Sequence, residues 1–253
     1  VMTSLAGRTA LITGGGSGLG AAIASMLHGA GADVVLVGRD EAKLAAVVAD
    51  LGERARWEAC DVADPDSVDA LRARLSEVEI SILVNNAGVP GPVADLVDIT
   101  PAEWDDVFGV NVRGIFLLCR AFLPGMYERG SGDVINIASV SGKRPLVHRT
   151  PYCASKMAVI GLTSTLAFEA GPQGVSVNTL SPGPVAGPRM ERNFRLEAER
   201  SGGSAADAEA AFVSRSALGR MVTEEEVARA VVAILAMPGL CGADVDLSAG
   251  MVA

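Results

Sequence analysis

Aromatic side chains are scarce: they make up 4% of the 253 residues, and the whole chain has only two tyrosines. The core must therefore be aliphatic. Histidine is limited to His28 and His148, and the four cysteines, Cys60, Cys119, Cys153 and Cys241, stand far apart with no paired spacing. That set offers neither the clustered ligands of a zinc site nor a disulfide framework, so no metal is expected. The thiols read as reduced, which points to a cytoplasmic protein. Positive charge is also short: 21 Lys and Arg against 30 Asp and Glu give a formal net charge of -9, with no basic run. Such a surface is a poor partner for nucleic acid. Long apolar runs are missing too. Residues 115–118 and 227–237 are short or broken by charges, and the N-terminus meets Gly7, Arg8 and Thr9 almost at once, so neither a membrane span nor a secretory signal is expected.

What the chain does have is a composition for burial, 49% hydrophobic and 20% charged, and a length that one α/β domain covering residues 1–253 can use. Short β-branched runs at 10–13, 34–37, 56–58, 82–84, 134–137 and 175–180 read as buried strands, with longer helical patterns between them. Asp64 before Pro65, and the capping-box sequences starting at Thr100 and Thr223, mark helix beginnings, because each sets a side-chain acceptor over free amides. Strand and helix alternating this often imply parallel strands, right-handed crossovers and a doubly wound sheet with helices on both faces. Residues 182–216, rich in Gly, Pro, Arg and Ala, break the rhythm and read as a small helical lobe covering a substrate site.

After the first strand comes Thr13-Gly14-Gly15-Gly16-Ser17-Gly18-Leu19-Gly20, opening a helix expected at 21–29. Glycines there let the backbone turn tightly and approach a pyrophosphate at the helix start. A glycine-rich turn alone is weak evidence, and the spacing differs from the common G-x-G-x-x-G. At the end of the second strand, Arg39 suits a 2′-phosphate, which favours NADP(H) over NAD(H), while Asp40 is left as a rival able to reach a ribose.

Tyr152-Cys153-Ala154-Ser155-Lys156 puts a phenol and an amine four residues apart, on one face of a helix that Thr150-Pro151 would start. A free phenol titrates near about 10, so it becomes a useful base near neutrality only beside a cation such as Lys156. Ser139 lies upstream at the end of the 134–138 strand, where crevice-facing loops begin. With Asp61-Val62 after the third strand, Asn85-Asn86-Ala87-Gly88 after the fourth, Asn111, and Pro182-Gly183, the chain resembles the short-chain dehydrogenase/reductase family from Thr13 to about Ser248.

That resemblance implies a single-domain Rossmann-type sheet of seven parallel strands, ordered 3-2-1-4-5-6-7, and a homo-oligomer, tetramer or dimer. It implies Tyr152 as acid/base, Ser139 orienting the substrate oxygen, Lys156 supporting Tyr152 and holding the nicotinamide ribose, and Asn111 anchoring a proton-relay water. For the cofactor it implies Gly14, Gly16, Ser17, Gly18, Leu19 and Gly20 around the phosphates and Asp61 and Val62 at the adenine. Asn86, Ala87 and Gly88 would line the groove, and Pro182, Gly183 and Val185 would sit by the nicotinamide. The C-terminal Val245-Asp246-Leu247-Ser248-Ala249-Gly250 departs from the family's Val-Asp-Gly-Gly-like ending, which puts subunit contacts there in question.

Cations cluster near the expected pocket: Lys143, Arg144 and Arg149 before Tyr152, and Arg189, Arg192 and Arg195 in the lobe. Arg144, Arg149 and Arg189 are candidates for a carboxylate, sulfonate or phosphate on the substrate. His148 reads as a loop residue, since Tyr152 is available for proton transfer. The sequence thus points to an NADP(H)-linked carbonyl reductase of a 3-oxoacyl-like or keto-acid-like small molecule. Two rivals stand beside it: an NAD-linked alcohol dehydrogenase of an anionic hydroxy substrate, and a non-catalytic dinucleotide-binding regulator.

Overall fold

A computed structural model describes the backbone of residues 4–251 and, within it, all side chains except those of 188, 189, 196, 197, 200 and 201. The elements run β1 (Thr9–Thr13), α1 (Gly18–Gly29), β2 (Asp33–Gly38), α2 (Glu41–Leu51), β3 (Ala55–Ala59), α3 (Pro65–Arg74), β4 (Ile82–Asn85), α4 (Pro101–Phe108) and α5 (Gly114–Arg129). They continue with β5 (Gly132–Ile137), α6 (Thr150–Ala170), β6 (Val175–Pro182), α7 (Pro188–Ser201), α8 (Ala205–Val213), α9 (Glu224–Leu235) and β7 (Asp244–Leu247). All six strands expected from the residues are present. The seven strands form one parallel sheet of order β3-β2-β1-β4-β5-β6-β7, as the resemblance implied.

Strand alternation builds the two sides of the core. Leu11, Val35, Val37, Leu83, Val134 and Val177 pack with α3, α5 and α6, whereas Ala10, Ile12, Val34, Leu36, Ile82, Val84 and Leu180 pack with α1 and α9. With both faces covered, the strands carry near-continuous apolar runs. The order reverses between β1 and β4, which opens a crevice at their C-terminal ends.

Both capping boxes form. Thr100 Oγ1 accepts from the Glu103 amide at 3.3 Å, and Thr223 Oγ1 from the Glu226 amide at 3.1 Å. Helix α1 begins three residues earlier than the sequence suggested, because Gly18 already takes its first helical position. The lobe is realised as α7 and α8, which pack on each other through Phe194 and Phe212, with ring centroids 5.5 Å apart. By length and composition alone the stretch Pro101–Arg129 is apolar enough to cross a membrane, but 61% of its most apolar window is buried inside the fold. Leu117, Leu118, Phe122 and Met126 fill the core from it, so its apolarity serves packing.

Candidate active site

The glycine turn at the mouth of the crevice depends on missing side chains. Gly14 and Gly18 sit at φ 67° and 53°, a region that costs other residues energy. Gly20 is fixed by crowding: a Cβ there would lie 2.1 Å from the Gly14 carbonyl oxygen and 2.8 Å from Asn86 Nδ2. Gly16 abuts α2, 3.2 Å from Lys43 Cβ by the same construction. Ser17 is exposed, and Leu19 packs partly into the core. Helices α2, α3, α4, α8 and α9 are each capped by a side chain, but Ser17 makes no such hydrogen bond to α1, whose first turn carries no acid. The α1 amides therefore suit an external anion such as a pyrophosphate.

Thr13, which sequence reasoning passed over, latches this turn to the next loop. Its Oγ1 accepts from the amides of Asn86 and Ala87, both at 2.9 Å, while Asn86 Nδ2 donates to the Thr13 carbonyl at 2.9 Å. Asn86 thereby holds the groove wall in place. At the far side of the turn, Arg39 is 69% exposed, with Nη1 3.9 Å from Asp61 Oδ2. Asp61 also accepts from the Ala63 amide at 3.0 Å, and Val62 is buried against Gly114. Asp40 is occupied: it caps α2 by accepting from the Lys43 amide at 3.1 Å and pairs with the Lys43 ammonium at 3.0 Å. Those hydrogen bonds hold its carboxyl below the usual range.

Helix α6 carries Tyr152 and Lys156 one turn apart. Lys156 is 5% exposed; its Nζ donates to the Ile137 carbonyl at 2.9 Å and stands 5.8 Å from the centre of the Tyr152 ring. Two residues past Ile137, Ser139 caps the Val140–Gly142 turn, accepting from the Ser141 amide at 3.1 Å. That turn lies flat on α6, since a Cβ on Gly142 would be 2.9 Å from the Met157 nitrogen. Asn111 sits in a π-turn, Gly109–Arg113, between α4 and α5, a local widening common at functional sites. Its amide joins Val89 on both sides, accepting from the nitrogen at 2.8 Å and donating to the oxygen at 3.0 Å, and donates to Ser155 Oγ at 3.0 Å. Ser155 in turn donates to the Tyr152 carbonyl at 2.8 Å. A Cβ on Gly88 would fall 3.2 Å from Asn111 Oδ1 and 3.6 Å from Lys156 Nζ, so the groove wall, Asn111 and Lys156 converge on one point.

Comparison with known proteins decides the family. The short chain dehydrogenase family model matches residues 8–199. The chain belongs to the short-chain dehydrogenase family. Among its relatives are the 3-oxoacyl-(acyl-carrier-protein) reductase of Vibrio harveyi, 35% identical over 93% of this chain and 92% of that one, and the cis-4-hydroxycyclohexanecarboxylate dehydrogenase of Sinomonas cyclohexanicum, 34% identical over 90% and 89%. A crystal structure of a variant actinorhodin polyketide ketoreductase with NADPH superposes with a TM-score of 0.91 at 32% identity, covering 96% of this chain and 97% of that one. This short-chain dehydrogenase is thus an NAD(P)-dependent oxidoreductase of small molecules.

The remaining expected residues of this short-chain dehydrogenase fall out unevenly. Gly183 donates to the Leu247 carbonyl at 2.8 Å and follows Pro182 at the end of β6, while Val185 bridges Val222. Lys143 is no anion anchor: Asp244 takes its ammonium at 2.8 Å and Asp246 closer still, which ties the Ser139 turn to β7. Partial burial would lower the Lys143 pKa, but the hydrogen bonds that its ammonium donates to both aspartates, with their negative charge, outweigh this and raise it. Arg144 donates to the Met251 carbonyl at 3.2 Å, and Arg192 and Arg195 are exposed on α7. Arg149 places its guanidinium carbon 5.6 Å from the Tyr152 ring centre. Arg189 lies in the first turn of α7, with its side chain outside the described residues. In the departing C-terminal sequence, Ala249 takes φ 54°, a region that glycine adopts more readily, and still folds over the site end of the sheet with Gly250 against Ala217.

Proposed function

We propose that this chain is an NADP(H)-linked reductase of a ketone, 3-oxoacyl-like or keto-acid-like, with Tyr152 as general acid/base. The supporting observation is the buried Lys156 ammonium, locked on the Ile137 carbonyl and standing 5.8 Å from the Tyr152 ring centre. A bound nicotinamide supplies the hydride. The chain's own residues supply the rest. Tyr152 gives its hydroxyl proton to the oxygen that becomes the alcohol, or takes it back in oxidation. Lys156 favours the phenolate left behind. Ser139, on a turn braced against α6, holds the reacting oxygen by a hydrogen bond, and Asn111, fixed by Val89 and Ser155, positions a water for proton resupply. The uncapped α1 terminus and the side-chain-free turn at 14, 18 and 20 hold the pyrophosphate, with Asp61, Val62 and the 86–88 wall along the adenosine side and Pro182, Gly183 and Val185 by the nicotinamide.

The choice of NADP(H) is supported by the division of labour after β2: Asp40 is spent on capping α2, and the exposed Arg39 is left to face a 2′-phosphate. Arg149 and Arg144 are the described cations that would meet a substrate carboxylate. This keeps open a second reading, a dehydrogenase of an anionic hydroxy substrate, to which the hydroxycyclohexanecarboxylate relative lends weight. Residues 182–216 would cover the substrate within one catalytic unit.

The test is NADPH consumption with acetoacetyl-CoA, and with 4-oxocyclohexanecarboxylate against its methyl ester. Tyr152→Phe should cut turnover by at least ~10²-fold while NADPH binding, followed by nucleotide fluorescence, is retained; undiminished turnover removes the acid/base assignment. Arg39→Ala should weaken NADPH far more than NADH, and equal losses refute the phosphate assignment.

A further inference from the structure

Three helix starts meet at one side chain. Gly18 is the first residue of α1, Gly187 immediately precedes α7, and Glu224 is the first residue of α9. A Cβ on Gly18 would lie 3.4 Å from Glu224 Oε1, and one on Gly187 would lie 3.8 Å from the same oxygen. Neither α1 nor α7 has a side-chain cap, so one carboxylate from a third helix stands beside two starts whose amides no capping side chain has claimed. Helix α9 needs nothing from it, because the box of Thr223 and Glu226 already caps that start.

The backbone holds Glu224 at this junction. Val185 bridges Val222, the Ala186 amide donates to the Val222 carbonyl at 2.8 Å, and the Val222 amide donates to the Pro184 carbonyl at 3.2 Å. The approach to the lobe and the approach to α9 are thus tied together two residues before Glu224. Neighbouring acids have cations of their own: Glu225 pairs with Arg229 and Glu226 with Arg220. Glu224 makes no ion pair among the described residues.

We propose that Glu224 sets the strength of dinucleotide binding: its carboxylate answers the positive ends of α1 and α7, and it opposes the pyrophosphate that would use the same field. The proposal rests on the turn at 14–20 being the pyrophosphate cradle. An anion beside a helix start is favoured by the partial positive charge there, and a second anion at that start gains less because the first has already neutralised part of it. Two like charges about 8 Å apart oppose each other by about 2-fold in an equilibrium in water and by about 30-fold in the effective medium of a protein surface. Both dinucleotides carry the pyrophosphate, so the opposition falls on NADPH and NADH alike, unlike the contribution of Arg39.

The test is fluorescence titration of the full chain with NADPH and with NADH, at low and high salt. Glu224→Gln should tighten both by a similar factor of about 2- to 30-fold, and sodium chloride should narrow the gap to the wild type. The same variant should melt at a lower temperature without nucleotide, since an anion favoured by two helix starts is gone, yet gain a larger rise from an equal concentration of NADPH. A merely structural role would not tighten binding. Glu224→Ala is a second charge-removing variant should the glutamine form fail to fold. Glu225→Gln removes the same net charge one residue away and should leave both affinities near those of the wild type. Affinities unchanged or weakened in the Glu224 variants, or tightened as much by Glu225→Gln, overturn the proposal. Failure of the underlying reading shows separately: Gly20→Ala would then bind both dinucleotides as the wild type does, whereas a weakened Gly20 variant beside an unchanged Glu224 variant strikes this proposal alone.

Discussion

Gly20→Ala offers the sharpest check of the cofactor turn. Alanine is the better helix former, worth up to about 1 kcal/mol over glycine inside a helix, and φ at Gly20 is not positive, so the local backbone raises no objection. The cost comes entirely from crowding. The new Cβ would sit 2.1 Å from the Gly14 carbonyl oxygen, where ordinary contact begins at 3.4 Å, so the two must separate by roughly 1.3 Å. Retreat is opposed on the other side, since Asn86 Nδ2 lies 2.8 Å from the same point and is tied to Thr13. Overpacking of this kind costs about 1–3 kcal/mol, so after a full helix gain a net loss of up to about 2 kcal/mol is expected. In a chain of this length that lowers the melting temperature by up to about 8 °C. Gly29→Ala is the control within the same helix: nothing lies within 4 Å of its Cβ position, so it should match or exceed the wild type. Urea unfolding reads the stability difference at unchanged m value, and nucleotide fluorescence should show dinucleotide affinity falling only in the Gly20 variant. A Gly20→Ala protein as stable and as tight for the dinucleotide as Gly29→Ala would refute the close-approach reasoning.

Two predictions concern charge. Lys143→Met should destabilise the protein by leaving Asp244 and Asp246 facing each other; and because the Lys143 pKa is raised, its contribution is present below the unfolded value of 10.5 and lost as pH rises through the folded one, so the wild type's advantage in urea should shrink only in strong alkali. Glu226, held down to about 2 by Arg220 and the Thr223 amide, stabilises the fold above its ordinary value of 4.5 and loses that contribution as pH falls toward 2, so Glu226→Gln should flatten that part of the acid unfolding profile.

Local information carried the architecture. β-Branched runs marked six strands, and the Thr100 and Thr223 boxes marked helix starts, because each signal needs only neighbours within a few residues. The four residues proposed for catalysis were legible as a spaced set, Tyr152 with Lys156 most directly. What stayed hidden depends on distant partners. Lys143 looked like a substrate cation until Asp244 and Asp246, about a hundred residues later, proved to neutralise it. Asp40 looked free to reach a ribose, although its own helix start claims it. Thr13 and Ser155 carry no signature of their own, and their importance lies in the loops that they join. The Ser204 capping box, with Asp207 in place of Glu, was equally readable but overlooked.

The π-turn at Gly109–Arg113 makes the long helical stretch from 101 to 129 unusually sensitive to length. A widened turn accommodates a surplus residue, and each residue in a regular helix advances the direction of side chains by about 100°. Excising one residue there would yield a straighter rod with its backbone fully hydrogen-bonded, yet everything upstream would face a new direction, carrying the Trp104 and Phe108 stack with it. Insertions and deletions, more than substitutions, are therefore the changes that evolution or engineering should find hardest to introduce at this point of the chain.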